Sequence, residues 1–340
     1  MKYRNLFGAA SVMAMAAMTA QAQEVTLALS HWVPPTHPLQ VRGMEPWAAA
    51  IEEASEGRIR VELYPAQQLG AAADHYDMAR DGIVDIGFIN PGYQPGRFPI
   101  LAAGELPFTI DNAASGSRAL HEWYSNYMDT EMPDVHVCLV HLHDPGTLHG
   151  TSGPLAAPAD FAGMNIRPAH GTMARLVNAL GAASVQVPAP AMRDLITSGG
   201  ADATASPWGS LFVFGVQDAV THHLDMPFYV TTFAFVMNQG AYDGLSDANR
   251  AVMDEHCSPE WSERMAAGWA EAEAAGRAQL EEMGGHTFYQ PNAEQIEEWR
   301  AVAAPLIDEW KTAVAAAGTD ADAAYDSLIE TLRANDALYD

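Results

Sequence analysis

Arg167 ends a short apolar run inside the segment 158–208, PADFAGMNIRPAHGTMARLVNALGAASVQVPAPAMRDLITSGGADATASPW. A guanidinium at the end of a buried strand needs an anion, which it holds through two parallel hydrogen bonds. The anion is either an internal carboxylate, Asp160 or Asp202, or the carboxylate of a ligand. Local spacing leaves both readings open.

Histidines are the second candidate set. His141 and His143 alternate along one β-rich run and therefore share a face, and His149 follows shortly. Three histidines in nine positions suggest a zinc site or a periplasmic enzyme centre. The reading the sequence favours is plainer: His141 and His143 are hydrogen-bonded in or near a wall between two lobes, and His149 is a ligand-contact candidate. His222 and His223 are adjacent, so on a strand they point to opposite faces. Among the aromatics, Trp32, Tyr93, Trp208, Phe212, Phe228, Tyr229 and Phe233 fall at strand ends or in loops. Trp208, beside Pro207, is read as a pocket wall. There is no GxxxxGK[ST], no GxGxxG after a strand and no GxSxG, so neither a nucleotide site nor a nucleophile elbow is indicated.

These residues need elements to position them. Runs 25–29, 59–64 and 83–89 read as strands, separated by helices over 40–55 and 74–81, an order that implies a mostly parallel sheet. Ligands bind beyond the carboxyl ends of such strands, which places Asn90 and Tyr93 at a candidate site. After a strand over 135–143 the pattern restarts: strand 164–167, helix 172–180, strand 184–187, helix 190–198, strand 201–204. This is a second α/β lobe. A β-rich run, 228–238, is long enough to cross between lobes. A short helix over 247–255 has Ser246 as its N-cap. The helix over 261–283 suits a spine across both lobes, and helices over 293–317 and 321–335 close the chain.

Residues 1–22 read as a secretory signal: Lys2 and Arg4, an apolar core over 6–18, and the cleavage pattern Ala20-Gln21-Ala22. The mature chain then begins near Gln23, in the periplasm. No later stretch is apolar enough to span a bilayer. Without Lys2 and Arg4, 15 basic residues face 43 acidic ones, a formal charge of −28 against −26 for the whole chain. That excess argues against nucleic acid or an anionic membrane surface as partner. Cys138 and Cys257 sit in an oxidising compartment where a disulfide is possible, but 119 positions separate them and the sequence gives no geometry.

Four segments, in this order and spacing, carry a resemblance: THPLQ…WAAAIEEASEGRIRVELYPAQQLG (36–70), ARDGIVDIGFINPGYQPGRFPILAAGELPF (79–108), the 158–208 stretch, and FAFVMNQGAYDGLSDANRAVM (233–253). The chain resembles the solute-binding proteins of tripartite ATP-independent periplasmic (TRAP) transporters, of the DctP type named after C4-dicarboxylate uptake. The resemblance implies an α/β, two-lobed periplasmic-binding-protein fold with a ligand cleft between the lobes and a long helix spanning both. It implies no enzymatic activity and no cofactor, and TRAP membrane subunits as partners. The expected lobes are 23–144 plus about 232–270, and 145–231 plus about 271–340.

The family's ligand-gripping arginine falls on Arg167, and its strand-end contact on Asn90, with Tyr93 just beyond. Thr232 or Phe233 lines the hinge side. Ser206 stands where relatives carry asparagine and Ala189 where many carry an aromatic. His149 is the sole cationic candidate where some have a second arginine. One arginine favours a monocarboxylate over a dicarboxylate, with Trp32, Tyr93 and Trp208 packing on the rest of the molecule. Hydroxy and keto acids, zwitterionic compatible solutes, aromatic acids and sulfonates fit this description. A sensor that reports ligand occupancy to a membrane receptor would use the same fold.

Overall fold

A computed structural model describes residues 25–339 of the 340, so the signal-like stretch 1–22 lies outside the described residues. The strands are β1 (Val25–Ser30), β2 (Ile59–Tyr64), β3 (Ile86–Ile89), β4 (Val135–Leu142), β5 (Thr147–Gly150), β6 (Asn165–Arg167), β7 (Ala183–Ser184), β8 (Ala203–Ser206), β9 (His222–Leu224), β10 (Thr232–Asn238) and β11 (Thr287–Tyr289). They form two sheets, in the orders β2-β1-β3-β10-β4 and β11-β9-β5-β8-β6-β7.

The parallel pattern read from the sequence holds for β1, β2 and β3, and again for β6, β7 and β8. It fails at β10 and β5, which run antiparallel to their neighbours. A parallel neighbour is reached by a crossover within one sheet. These two strands arrive instead from the other sheet, through segments 143–146 and 225–231. The segments run side by side: Gly146 N donates to Tyr229 O at 2.8 Å and Phe228 N to Gly146 O at 2.9 Å. The β-rich run 228–238 is thus half crossing segment, and its strand begins only at Thr232. The segment GTLHG (146–150), where no strand was expected, is largely strand β5 at the centre of the second sheet.

Helix Pro259–Met283 has 25 residues, roughly 37 Å at 1.5 Å per residue. It packs on helix Ala113–Tyr124 and β4 at the first sheet and on helix Ser210–Val213 at the second. Gly276 makes the second contact possible. A Cβ there would sit 2.3 Å from Gly209 N and 2.4 Å from Trp208 C, so a side chain would push the turn off the helix.

Two local readings are corrected. Helix Ala113–Tyr124 escaped notice because its buried face mixes Gly116, Ser117 and His121 with Leu120 and Trp123, which blurs the apolar period. The expected single helix over 293–317 is two, Ala293–Ala303 and Pro305–Ala316. Pro305 lacks the N–H that would continue the ladder and starts the second helix instead. The last helix, Ala321–Ala334, packs on helix Ala113–Tyr124. Ser246 does cap helix Asp247–His256, accepting from Asn249 N at 3.3 Å.

Cys138 on β4 is disulfide-bonded to Cys257, just past that helix. The link ties the edge strand of the first sheet to residues 119 positions later, and closing so long a loop restricts the unfolded chain strongly. The paired substitution Cys138→Ser with Cys257→Ser is expected to cost about 2–5 kcal/mol of unfolding free energy, read by urea denaturation. An unchanged midpoint and slope would show that the link contributes nothing.

Candidate functional site

Arg167 is the last residue of β6 and is 3% exposed. Its Nε donates to Val187 O at 3.0 Å and its Nη1 to Ala205 O at 3.1 Å. Both carbonyls belong to the second lobe's own backbone, so the guanidinium is fixed before any ligand arrives. Neither internal carboxylate reaches it. Asp160 Oδ2 accepts from the N–H groups of Ala156 and Ala157, each at 2.8 Å, and Asp202 Oδ2 from Asn165 N at 2.8 Å. Among the described residues Arg167 forms no ion pair. A buried charge without a counterion is costly, and the space beside it is where the counterion belongs.

That space is a pocket between the two sheets, with about 400 Å³ not filled by atoms, open solvent included. The first lobe contributes Trp32, His37, Asn90, Tyr93 and Phe233, and the spanning helix Trp269. The second contributes Arg167, Ala189, Met192, Ser206, Ser210 and Phe214, and the crossing segments His143, Tyr229 and Thr231. The walls are largely aromatic. Trp32 stacks on Phe88 at 5.3 Å between centroids and lies 5.6 Å from Tyr93 and 6.2 Å from Phe233, while Phe233 lies 5.3 Å from Trp269. Among the described residues no Asp, Glu or Lys lines the cavity. Burial lowers His37 and His143 to about 3, so both are neutral near pH 7 and Arg167 supplies the positive charge.

Six of the residues expected at the site line this cavity: Trp32, Asn90, Tyr93, Arg167, Ser206 and Phe233. Three do not. Thr232 faces the other side of β10, where its Oγ1 donates to Glu105 Oε1 at 3.0 Å. Strand alternation gives the lining to Thr231 and Phe233 instead. His149 lies behind Ser206, with Nε2 donating to Ser206 O at 3.0 Å and Nδ1 2.8 Å from His223 Nδ1. Trp208 stands edge-on to His149 at 4.8 Å and packs on Phe288 at 5.8 Å, inside the second lobe. Ala189 does line the cavity, and its small side chain leaves the room that a larger group would take.

The histidine cluster expected for metal does not assemble. His141 packs against Phe88 at 5.7 Å and Phe233 at 5.4 Å, with neither ring nitrogen hydrogen-bonded. His143 donates from Nδ1 to Asp144 O at 2.7 Å and accepts at Nε2 from Thr231 Oγ1 at 2.8 Å. His149 is in the other sheet. Among the described residues no group of three or more His, Cys, Asp or Glu is placed to hold a metal ion.

His37, Ser210, Thr231 and Trp269 were not singled out from the sequence, and Tyr229 was noted only as a loop aromatic. Trp269 occupies a helical position indistinguishable from core, and His37 follows a Pro-Pro-Thr turn with no pattern of its own. Both are held firmly. Glu273 accepts from Trp269 Nε1 at 2.6 Å and from Ser210 N at 2.8 Å, and burial pushes its carboxyl up to about 7. His37 Nδ1 accepts from Leu39 N at 3.0 Å.

The lobes meet directly at several points. Ala189 N donates to Tyr93 Oη at 2.9 Å, and Asn90 Nδ2 to Ala169 O at 3.4 Å. Glu105, from the first lobe, accepts from Thr172 Oγ1 at 3.1 Å and lies 2.9 Å from His170 Nδ1, both in the second. A Cβ on Gly92 would fall 2.3 Å from His170 Cβ, so this approach requires glycine.

Residues 29–313 match the model of the bacterial extracellular solute-binding protein family 7. The chain belongs to that family. Among solved structures it is similar to a TRAP periplasmic solute-binding protein of Bordetella bronchiseptica with bound (R)- and (S)-mandelate. The two share 31% identity over 91% of this chain and 99% of the other, with a TM-score of 0.86. A TRAP solute-binding protein of Rhodoferax ferrireducens in complex with benzoate is 29% identical over 92% and 98% of the two chains, TM-score 0.87. A marine-metagenome TRAP solute-binding protein with 3-hydroxybenzoate is 28% identical over 93% and 100%, TM-score 0.87. Like them, this family 7 protein has an α/β fold with two sheets. No described helix is long and apolar enough to cross a membrane.

The buried histidines of this solute-binding protein set its response to acid. Burial lowers His31, His121 and His149 to about 4, His37, His141 and His143 to about 3, and His223 to about 2. Below pH 6.5 the unfolded chain takes up protons that these sites refuse, so stability falls with pH. Glu273, raised to about 7, and Asp144, raised to about 6, act in the opposite sense, losing stability as pH rises. Seven sites outweigh two. The denaturant midpoint is expected to drop steadily from pH 6.5 to pH 5, and a flat or rising midpoint would contradict this balance.

Proposed function

We propose that the chain is a periplasmic receptor that captures a small aromatic monocarboxylate by lobe closure and delivers it to TRAP membrane subunits. The observation that carries this is Arg167, buried without an acid partner at one wall of an aromatic cavity. A carboxylate there takes charge-assisted hydrogen bonds from the guanidinium, in a site from which closure expels water. Tyr229 lies in the field of Arg167, and its buried hydroxyl has no partner among the described residues. It adds one more donor for the same carboxylate. The rings of Trp32, Tyr93, Phe233 and Trp269 suit an aromatic body. The single cation favours a monoacid. Mandelate, benzoate and 3-hydroxybenzoate in the similar structures support the same class.

The protein acts as a receptor, with no catalytic step. Loading neutralises Arg167, and the second lobe swings onto the first about segments 143–146 and 225–231, engaging Tyr93, Asn90 and Glu105 where the lobes meet. The closed form is the one presented to the membrane subunits.

Calorimetry against a panel of aromatic monoacids tests this reading. Binding at micromolar or tighter Kd is expected. Arg167→Ala is expected to weaken it by about 10- to 150-fold, the loss of a charged hydrogen bond of about 1.5–3 kcal/mol. Wild-type-like affinity in that variant would remove Arg167 from recognition. Gly92→Ala blocks the approach to His170, so it should weaken every acid alike while leaving the melting temperature of the ligand-free protein nearly unchanged. Unaltered affinity would show that closure does not bring these backbones together.

A further inference from the structure

Two hydrogen-bond donors at the cavity remain after the carboxylate is placed. His37 is 1% exposed, lines the cavity and stands edge-on to Trp269 at 5.0 Å between centroids. Its Nδ1 lone pair is taken by Leu39 N at 3.0 Å. In the neutral ring the proton therefore sits on Nε2, which makes Nε2 a donor. That donor is buried and has no partner among the described residues. Trp32 is 4% exposed and lines the same cavity, and its indole N–H can only donate. It too is buried without a partner.

The two donors come from the first lobe, after β1, whereas the carboxylate clamp is at the end of β6 in the second. The charge of Arg167 acts on Tyr229 and His143, whereas the charged form of His37 is opposed by burial and by His31. His31 is itself lowered to about 4, so no positive charge stands at this second pole near pH 7. A second carboxylate has no cation to meet there. A ligand group that only donates, or a methyl group, leaves two buried N–H groups unsatisfied, the costly outcome.

We propose that the ligand is an aromatic acid bearing a neutral oxygen acceptor, a ring hydroxyl or its equivalent, which receives the N–H groups of His37 and Trp32 while Arg167 holds the carboxylate. This rests on the aromatic-monoacid reading and names the substituent that reading leaves open. His37 and Trp32 are then specificity-determining residues: they add little for benzoate and discriminate among its substituted forms.

The test uses the full-length mature protein and matched pairs of acids. 3-Hydroxybenzoate is compared with 3-methylbenzoate and 4-hydroxybenzoate with 4-methylbenzoate, by calorimetry at pH 7. Methyl and hydroxyl fill similar space, so only the acceptor differs. In at least one pair the hydroxy acid is expected to bind about 10- to 100-fold tighter. Trp32→Phe, which keeps the ring stacked on Phe88 but lacks the N–H, is expected to cut that ratio several-fold. His37→Phe is expected to do the same. Should loss of the Leu39 contact unfold it, Trp32→Phe alone decides. Methyl acids binding as tightly as their hydroxy partners would overturn the inference while leaving the carboxylate clamp intact. A ratio unchanged in the folded variants would also overturn it. If none of the four acids binds, the aromatic-monoacid reading itself falls, and this inference with it.

Discussion

The cavity is organised around one buried positive charge. Arg167 is anchored by Val187 O and Ala205 O, which fix its plane but neutralise nothing. Removing a guanidinium from water costs several kcal/mol unless an opposite charge compensates. The two carboxylates expected as internal partners are committed to backbone N–H groups instead, Asp160 to a turn and Asp202 to the start of β6. An arginine held in place and left without an acid is poised to receive one from outside.

The rest of the fold serves that charge. β6 and β8 carry Arg167 and Ser206 to the carboxyl ends of neighbouring parallel strands. The first lobe answers with an aromatic wall built on Phe88, and with Tyr93 and Asn90 where the lobes meet. The spanning helix ties the two together. Its Glu273 accepts from both Trp269 and Ser210, which line the cavity. Glycines stand where backbones must touch: Gly276 beneath the turn at Gly209, and Gly92 against His170. The acidic surface plays no part in the cavity, whose lining holds no carboxylate among the described residues.

Much of this was legible in the sequence because the parts with a clear period are local. β2 was read at its observed bounds, and the helices over 247–255 and 261–283 to within two residues at each end. Arg167, Asn90, Tyr93 and Trp32 could be placed at the site because strand ends face the cleft in α/β folds. What stayed hidden depends on contacts across lobes. Thr231 ends the crossing segment and Thr232 begins β10, and they point to opposite faces, a one-residue register that the run 228–238 could not fix. Trp208 and His149 looked like cleft residues because each lies near a strand end, yet they pack behind the strand that bears Ser206. His37 and Trp269 reach the cavity only once the spanning helix is laid across both sheets. The Cys138–Cys257 pair needed the same tertiary information.

The central claim is that Arg167 is the carboxylate site and that the aromatic walls hold the rest of the ligand. A crystal structure of the protein soaked with 3-hydroxybenzoate tests it most directly. The account predicts the carboxylate oxygens within about 3 Å of the Arg167 guanidinium, with the ring between Trp32 and Phe233. A ligand bound in the reverse sense, with its carboxylate beside His37, or one bound outside this cavity, would contradict it.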